Sequence, residues 1–233
     1  KDIACSLQIV FEEILFKLLN FWNKKYNYKN LCLSGGCALN SLANGKIINN
    51  TKFENIYIPL NPSDAGGGIG SVFSKNFKNF EMENSFLGTE YSNQEVKKTI
   101  DNNLETIKSR GININYYDNL DALIEFTSEK IKNSKVVGWY QGRMEFGARA
   151  LGNRSILANP LNPNMKKIIN SKIKFREKFR PFAPSILENH LNEYFVTNKI
   201  SKIPFMNIVL NIKTQYKKTI PAVVHNDNTC RVQ

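Results

Sequence analysis

The chain has 233 residues, of which 42% are hydrophobic and 22% are charged, enough apolar material for one or two folded domains. No apolar run reaches the roughly 18 residues that a bilayer-spanning helix needs, so we expect no integral membrane protein and no membrane partner. The net charge of +12 favours phosphates, nucleotides or nucleic acid as partners, although lysines that solvate helix faces would give the same excess.

The cysteines and histidines limit the metal and redox chemistry that the chain can carry. There are four cysteines without a CxxC pair, and the two histidines are remote in sequence from most of them: Cys5, Cys32, Cys37, Cys230, His190 and His225. This spacing argues against a zinc site and against a secreted disulfide framework. It predicts a cytoplasmic location.

The chain begins with a long segment of helical period. This period runs from Ile3 to about Tyr26, with an apolar stripe that consists of Val10, Ile14, Leu18 and Trp22. The segment therefore predicts an amphipathic helix.

Two strands with glycine-containing turns follow. A short strand at 30–33 leads through Ser34-Gly35-Gly36 to a helix that opens near Cys37. A second strand at 55–58 leads to a glycine-rich helix start at 65–72. The repeated order of strand, turn and helix is typical of an α/β layer domain.

A second α/β region begins near residue 93. Residues 77–92 are weakly periodic and predict a linker. After them we expect helices at 94–104 and 120–132, a strand at 136–140, and strands and turns from 204 to the end.

The first candidate site is the glycine turn of Leu33–Asn40. Adjacent glycines between a strand and a helix let the backbone approach a ligand closely, and the free N–H groups of a helix start attract anions. Ser34 and Asn40 could add side-chain hydrogen bonds. An ordinary tight turn explains Ser-Gly-Gly equally well, and no Gly-Lys-Ser/Thr follows to make a P-loop.

The second candidate is Asp64, which precedes the glycine-rich helix start. A carboxylate at this place can reach a phosphate-bound metal, or it can cap the helix. Both interpretations remain open at this point.

The third candidate is an arginine- and glycine-rich stretch directly after the strand at 136–140. It places Arg143, Arg149 and Arg154 among three glycines. Guanidinium groups bind phosphate oxygens in a forked geometry, and glycine leaves room for the ligand. The stretch therefore predicts a phosphate-binding site.

The fourth candidate is the basic segment 172–184. Lys174 and Arg176 are two residues apart, so on an extended segment they face the same side, and Arg180 is stiffened by the proline that follows it. Such a cluster can hold a triphosphate and neutralise charge during phosphoryl or acyl transfer. The interleaved Phe175, Phe179 and Phe182 allow RNA binding as an alternative, although packing in the core explains these aromatic residues more simply.

The fifth candidate lies near the end of the chain. His225 lies in a predicted turn, where a lone histidine is usually structural. Arg231 follows six residues later and could complete an anion pocket with it.

Taken together, these motifs resemble the O-carbamoyltransferases of the NodU/CmcH type (TobZ-like), which modify antibiotics and nodulation factors. Five segments carry the resemblance, in family order over nearly the whole chain: Leu33–Asn40, Ser63–Gly70, Trp139–Pro160, Lys174–Pro184 and Pro221–Gln233. The resemblance implies an α/β fold with part of an actin-like ATPase (ASKHA) domain at 1–80, a linker at 81–92 and a YrdC-like α/β domain at 93–233.

The resemblance also implies an activity. In the family, the YrdC-like domain joins carbamoyl phosphate with ATP to give carbamoyladenylate and pyrophosphate, with release of phosphate from the carbamoyl donor. The actin-like domain then transfers the carbamoyl group to a hydroxyl of a small-molecule acceptor beside a divalent metal, either iron or magnesium. The expected class is a carbamoyltransferase of EC class 2.1.3.

Site residues follow from the resemblance in three groups. The catalytic residues, which hold carbamoyl phosphate and the ATP phosphates, are Arg149, Arg154, Lys174, Arg176 and Arg180. The nucleotide site of the actin-like domain uses Ser34, Gly35, Gly36 and Asn40, and the metal ligand is Asp64. Arg231 and His225 are further candidates for the pocket of the cationic residues.

Two departures from the family pattern concern completeness. The chain has no HxxxH metal motif, and the family continues past Arg231-Val-Gln233. We therefore expect an internal fragment that cannot transfer carbamoyl by itself. Two alternative functions remain open from the sequence: a threonylcarbamoyl-type tRNA modification enzyme and a non-catalytic basic module that binds nucleic acid.

Overall fold

A computed structural model describes residues 2–74, 82–197 and 200–233 of the chain. The chain divides into two compact units. Unit 1 consists of residues 1–85, 147–149 and 160–233, and unit 2 consists of residues 86–146 and 150–159. Within the predicted linker, residues 77–81 lie outside the described residues, and the predicted domain boundaries at 80 and 93 stay a prediction.

The described residues form a mixed α/β fold, as predicted. Their α-helices are α1 (Asp2–Tyr26), α2 (Ser41–Asn50), α3 (Gly67–Phe73), α4 (Asn93–Asn102), α5 (Leu104–Ser109), α6 (Leu120–Lys132), α7 (Met165–Lys172) and α8 (Leu191–Tyr194). Their strands are β1 (Asn30–Cys32), β2 (Asn55–Tyr57), β3 (Val137–Tyr140), β4 (Arg154–Leu157), β5 (Phe195–Val196), β6 (Val209–Ile212) and β7 (Thr229–Arg231). None of these helices combines the length and the apolar character that crossing a membrane requires.

In unit 1, helix α1 is followed by a parallel pair of strands, β1 and β2, joined through α2. Leu31 on β1 lies opposite Ile56 on β2. The side chain of Asn40 caps α2, because its Oδ1 accepts a hydrogen bond of 3.2 Å from the backbone N–H of Ala43. The predicted order of strand, turn and helix is confirmed here, with a 3-10 turn at Gly36–Leu39 before α2.

Helix α2 packs closely on β6 of a second sheet. A Cβ atom added to Gly45 would lie 2.0 Å from the carbonyl oxygen of Val209, so only glycine permits this approach. The adjacent Asn44, which is 1% exposed, donates through Nδ2 to the carbonyl oxygens of Ala38 and Asn207. This packing brings the first turn of α2 beside β6.

Strands β5, β6 and β7 form this antiparallel sheet, with β6 in the centre. Leu210 on β6 lies opposite Cys230 on β7, and both side chains are buried in the main hydrophobic cluster of unit 1. After β7, backbone hydrogen bonds join Gln233 to Pro184 and Ile186. These bonds place the segment around residue 182 beside the end of β7.

Helix α1 confirms the predicted helix, but its apolar stripe is not buried against the rest of unit 1. Val10, Ile14, Leu18 and Trp22 are all exposed, and the buried side chains of α1 are Glu12, Leu19 and Asn23. Lys46 pairs with Glu12 at 2.7 Å, which ties α1 to α2. The helix is therefore apolar on a face that unit 1 does not cover.

Unit 2 consists of α4, α5, α6 and the antiparallel pair of β3 and β4. A capping box between Ser92 and Glu95 starts α4. The predicted helix at 94–104 is two helices, because α4 ends at Asn102 and α5 starts at Leu104. The predicted helix at 120–132 and the strand at 136–140 are confirmed as α6 and β3.

Candidate functional site

A small polar cavity in unit 1 is the candidate functional site. Its volume is about 170 Å³, below the roughly 300–1,000 Å³ of pockets for drug-sized ligands. Its polar wall consists of Ser41, His225, Asp227 and Arg231, and its apolar wall consists of Leu42, Pro181, Phe182 and Val209. The cavity therefore suits a small polar ligand.

Arg231 is the dominant charge at this cavity. Burial lowers the pKa of Arg231 to about 10, with further lowering by the positive charges of Arg149 and Arg176. The side chain remains cationic at neutral pH because a pKa of about 10 is well above 7. Its Nε has no hydrogen-bond partner, and among the described residues no carboxylate forms an ion pair with it. Arg231 is half-buried, and a partly desolvated cation without an ion-pair partner favours an anionic ligand.

Arg149 belongs to the short loop 147–149 of unit 1. Gly147 has a φ of +128°, and a Cβ atom there would lie 3.3 Å from the carbonyl oxygen of Leu60. A larger residue would therefore be strained at this place. Arg149 is half-buried, and burial lowers its pKa.

Arg176 is held by a buried asparagine and an aromatic ring. Its Nε donates to Oδ1 of Asn170 at 2.7 Å, and its guanidinium lies 4.9 Å from the centroid of Phe182. Because Phe182 lines the cavity, this stacking holds Arg176 behind the apolar wall. Asn170 also donates to the carbonyl oxygen of Arg180 at 2.9 Å, so it organises the whole turn.

The expectation that Lys174 and Arg176 share one side of an extended segment is wrong. Residues 173–180 form turns, and Phe175 has a φ of +46°. Core packing of the three phenylalanines is also wrong for two of them, since Phe175 is 82% exposed and Phe179 is 72% exposed. The hydrogen bonds of Asn170 stabilise this turn in place of a strand.

His225 faces the same cavity as Arg231. Its Nδ1 lies 3.0 Å from Oγ1 of Thr229, and its Nε2 is buried without a hydrogen-bond partner among the described residues. Burial lowers the pKa of His225, Asp227 raises it, and the cations Arg231 and Lys166 lower it further, with a net lowering. The structure thus places the two residues of the fifth candidate against one cavity.

Three of the predicted catalytic residues have other surroundings. Lys174 is exposed, and the exposed Arg180 forms an ion pair of 2.7 Å with Glu177. Arg154 belongs to unit 2, where its guanidinium stacks 3.5 Å from the ring centroid of Tyr140 and donates to the carbonyl oxygens of Gln141 and Gly142, among others. Their catalytic roles stay predictions.

The predicted nucleotide-binding residues of unit 1 hold their own turn together. Ser34 Oγ and the backbone N–H of Gly35 both donate to the carbonyl oxygen of Pro62, at 3.0 and 2.6 Å. Besides capping α2, Asn40 donates through Nδ2 to Gln8 Oε1 at 2.9 Å. Gly36 begins the 3-10 turn, and a Cβ atom there would meet no neighbour. Nucleotide binding at this turn stays a prediction.

Asp64 lies in the first turn of a 3-10 helix and is exposed. Within the described ranges, no group of three or more His, Cys, Asp and Glu side chains could hold a metal ion. A single carboxylate does not make a metal site by itself, so metal binding at Asp64 stays a prediction.

Several organising residues were missed by the sequence reasoning. Asn170 is fully buried, and Glu145 accepts backbone hydrogen bonds from Leu151 and Asn153 at 2.7 and 2.8 Å within unit 2. Their signal in the sequence was a polar residue within or beside an otherwise apolar stretch. Thr229, two residues before Arg231, was missed as the partner of His225.

Comparison with known proteins shows the family of the chain. Residues 1–73 match the family described as carbamoyltransferase N-terminus, and residues 128–233 match the carbamoyltransferase C-terminus. The chain therefore belongs to the carbamoyltransferase family, as the motifs predicted.

Several relatives match over the full chain. An uncharacterized protein (sll1178) of Synechocystis sp. PCC 6803 is 36% identical, with 100% of this chain and 41% of the relative covered. Nodulation protein NolNO of Sinorhizobium fredii NGR234 is 35% identical (100% and 34% covered), and nodulation protein NolO of Bradyrhizobium diazoefficiens USDA 110 is 34% identical (100% and 42% covered). The chain spans about two-fifths or less of the length of these relatives.

Proposed function

We propose that the cavity at Arg231 binds carbamoyl phosphate. The observation that carries the proposal is the half-buried Arg231 cation, whose buried Nε has no hydrogen-bond partner, which forms no ion pair among the described residues, and which lies near Arg149 and Arg176. A phosphate group would accept charge-assisted hydrogen bonds from Arg231, and its negative charge would offset the nearby positive charges of Arg149 and Arg176. The volume of about 170 Å³ suits a small acyl phosphate and is too small to enclose a nucleoside triphosphate.

In the proposed reaction, the chain acts within an ATP-dependent O-carbamoyltransferase. Water cleaves carbamoyl phosphate to carbamate and phosphate, and carbamate then attacks the α-phosphorus of ATP to give carbamoyladenylate and pyrophosphate. The carbamoyl group then passes to a hydroxyl of a small-molecule acceptor, with release of AMP. Arg231, Arg149 and Arg176 would stabilise the negative charge on the departing phosphate. Partial burial of the cations strengthens this effect, because a dry site screens charge less than water does.

The finer assignments belong to the same proposal. We place the N-terminal part of the chain in an actin-like domain and the C-terminal part in a YrdC-like domain, and we propose the cytoplasm as location. All four cysteines lie in described residues and are free, which supports a reducing compartment. The family matches favour carbamoyl transfer over threonylcarbamoyl modification of tRNA and over a nucleic-acid-binding module.

Binding of carbamoyl phosphate to the chain tests the proposal directly. Titration calorimetry with freshly dissolved carbamoyl phosphate should show binding to the unaltered chain and at least a tenfold loss for Arg231→Gln, because one charge-assisted hydrogen bond contributes roughly 1.5–3 kcal/mol. Arg110→Gln is the matched control, since it removes the same charge from an exposed position at the end of α5. Equal affinity of Arg231→Gln and the unaltered chain would contradict the proposed site.

A second measurement separates the enzyme from the nucleic-acid module. Pyrophosphate release from ATP is measured with the chain embedded in a protein of the length of its relatives. Release that depends on carbamoyl phosphate supports the adenylation step. RNA binding that is steeply salt-dependent and unaffected by Arg149→Ala would support the nucleic-acid module instead.

A further inference from the structure

Asp227, Thr229 and His225 form a chain of hydrogen bonds at the cavity. Oγ1 of Thr229 lies 2.7 Å from Oδ1 of Asp227 and 3.0 Å from Nδ1 of His225. The backbone reinforces this geometry, since the N–H of Thr229 donates to Oδ1 of Asp227 at 3.1 Å and the N–H of His225 donates to the carbonyl of Thr229 at 2.8 Å. The three side chains are thus held by one tight turn.

The direction of these hydrogen bonds determines the tautomer of His225. A carboxylate accepts and does not donate, so the single hydroxyl hydrogen of Thr229 points to Asp227. Towards His225 the hydroxyl oxygen can therefore only accept, and Nδ1 must carry the hydrogen. In the neutral imidazole, Nε2 is then a bare acceptor.

The acceptor Nε2 belongs to a side chain that lines the cavity. Nε2 is buried and has no partner among the described residues, and His225 lines the cavity with Arg231. The charged groups that act on the ring are Asp227, Arg231 and Lys166, and together with burial they keep the pKa of His225 below its usual value. The lone pair of Nε2 can accept a hydrogen bond, and Arg231 beside it can bind an anion. A ligand that carries both an N–H donor and an oxyanion therefore fits this pair of residues.

We propose that Nε2 of His225 accepts a hydrogen bond from the amide N–H of the carbamoyl group while Arg231 binds the phosphate. This inference rests on the proposed function and deepens it, because it makes His225 the residue that selects a carbamoyl phosphate over an acyl phosphate with a methyl group in place of the amide. Such an analogue leaves Nε2 buried and unpaired, and sites that hydrogen-bond a substrate group discriminate strongly against analogues that lack it.

Two stable phosphonates isolate this contact from the chemistry. Phosphonoacetamide carries the amide, and acetonylphosphonate carries a methyl group at the same place. Calorimetry should show that the unaltered chain prefers phosphonoacetamide by about tenfold, as expected from the roughly 1–3 kcal/mol cost of an unpaired buried group. His225→Leu should abolish the preference while acetonylphosphonate still binds. His225→Gln should keep part of it, because its side-chain oxygen can accept near the place of Nε2.

The outcomes distinguish this inference from the proposed function. If carbamoyl phosphate binds and Arg231→Gln weakens it, but the unaltered chain binds both phosphonates equally, His225 does not read the amide and this inference alone fails. The same conclusion follows if His225→Leu keeps the preference in a protein that circular dichroism shows to be folded. If neither phosphonate nor carbamoyl phosphate binds the unaltered chain, the proposed function and this inference fall together.

Discussion

The side-chain oxygen of Asn170 accepts a hydrogen bond of 2.7 Å from Nε of Arg176. Asn170 lies on α7 and is fully buried, and its backbone carbonyl also accepts from the N–H of Arg176. The arginine is thereby held in a fixed orientation beside the ring of Phe182. This single contact links the helix to the wall of the cavity.

Asn170→Ala should destabilise the chain and weaken the binding of carbamoyl phosphate. The substitution removes the bonds to Arg176 and to the carbonyl of Arg180, so we expect a loss of about 2 kcal/mol in the free energy of unfolding. Urea denaturation measures the loss. Asn113→Ala, at an exposed position, is the control, and equal stability of the two variants would argue against an organising role for Asn170.

Gly45→Ala should prevent the close packing of α2 on β6. The added Cβ atom would lie 2.0 Å from the carbonyl oxygen of Val209, so the helix must shift, at a cost of about 3 kcal/mol or more. Because the first turn of α2 lines the cavity, ligand affinity should also fall.

Gly68→Ala is the matched control for this effect, since a Cβ atom there meets open space within α3. It should change stability by less than about 1 kcal/mol, in the stabilising direction. Thermal unfolding of both variants gives the comparison. A Gly45→Ala protein as stable as Gly68→Ala would show that α2 and β6 lie further apart than the structure has them.

Glu145→Gln should lower stability at neutral pH, and the loss should vanish in acid. Burial raises the pKa of the Glu145 carboxyl, but the backbone N–H groups of Leu151, Asn153 and Arg154 lower it more, so the net pKa lies below its usual value of 4.5. The carboxylate therefore stabilises the fold above pH 4.5, and this contribution is lost as the pH falls through the pKa of the folded state.

The expected difference at neutral pH is about 1–2 kcal/mol, the range of a hydrogen bond to a charged group. Urea denaturation at several pH values between about 3 and 7, a range that spans the usual carboxyl pKa values, measures this difference, with Glu125→Gln as an exposed control. A difference that persists unchanged at the acid end would show that the charge of Glu145 is not what stabilises the loop.

The pH dependence of stability should also report His225. Its pKa in the folded chain is lowered from 6.5, first by burial, so the unfolded chain binds a proton more readily. Stability is therefore complete above pH 6.5 and is lost as the pH falls through the pKa of the folded state. His225→Gln should flatten this slope relative to the unaltered chain, as urea denaturation at several pH values would show. Equal slopes for His225→Gln and the unaltered chain would contradict the lowered pKa.

Local elements were predictable from the sequence. The helices at 3–26 and 120–132 were confirmed because periodic apolar residues and capping residues act within a few turns. The short strands β1, β2 and β3 were found within one residue at either end, since each is a brief apolar run next to a turn.

Features that depend on distant partners were not predictable. The segment 173–180 was expected to be extended, but the buried Asn170 and the positive φ of Phe175 make it a turn. The apolar stripe of α1 was evident, but its neighbours were not, and the structure exposes it while Glu12 and Asn23 are buried. Buried polar side chains usually need a hydrogen-bond partner, and the tertiary fold determines which partner is within reach.

The sequence by itself determined the family, the helices and strands, and the abundance of arginine next to glycine, because each of these is written in residue types and short spacings. Only the tertiary structure decided which cations share a cavity. Arg231, His225 and Phe182 meet Leu42 there because Gly45 lets α2 approach β6 and because the end of the chain pairs with Pro184. The partial burial of Arg231 and its lack of an ion-pair partner among the described residues, which give it its proposed role, arise only once these distant segments are packed together.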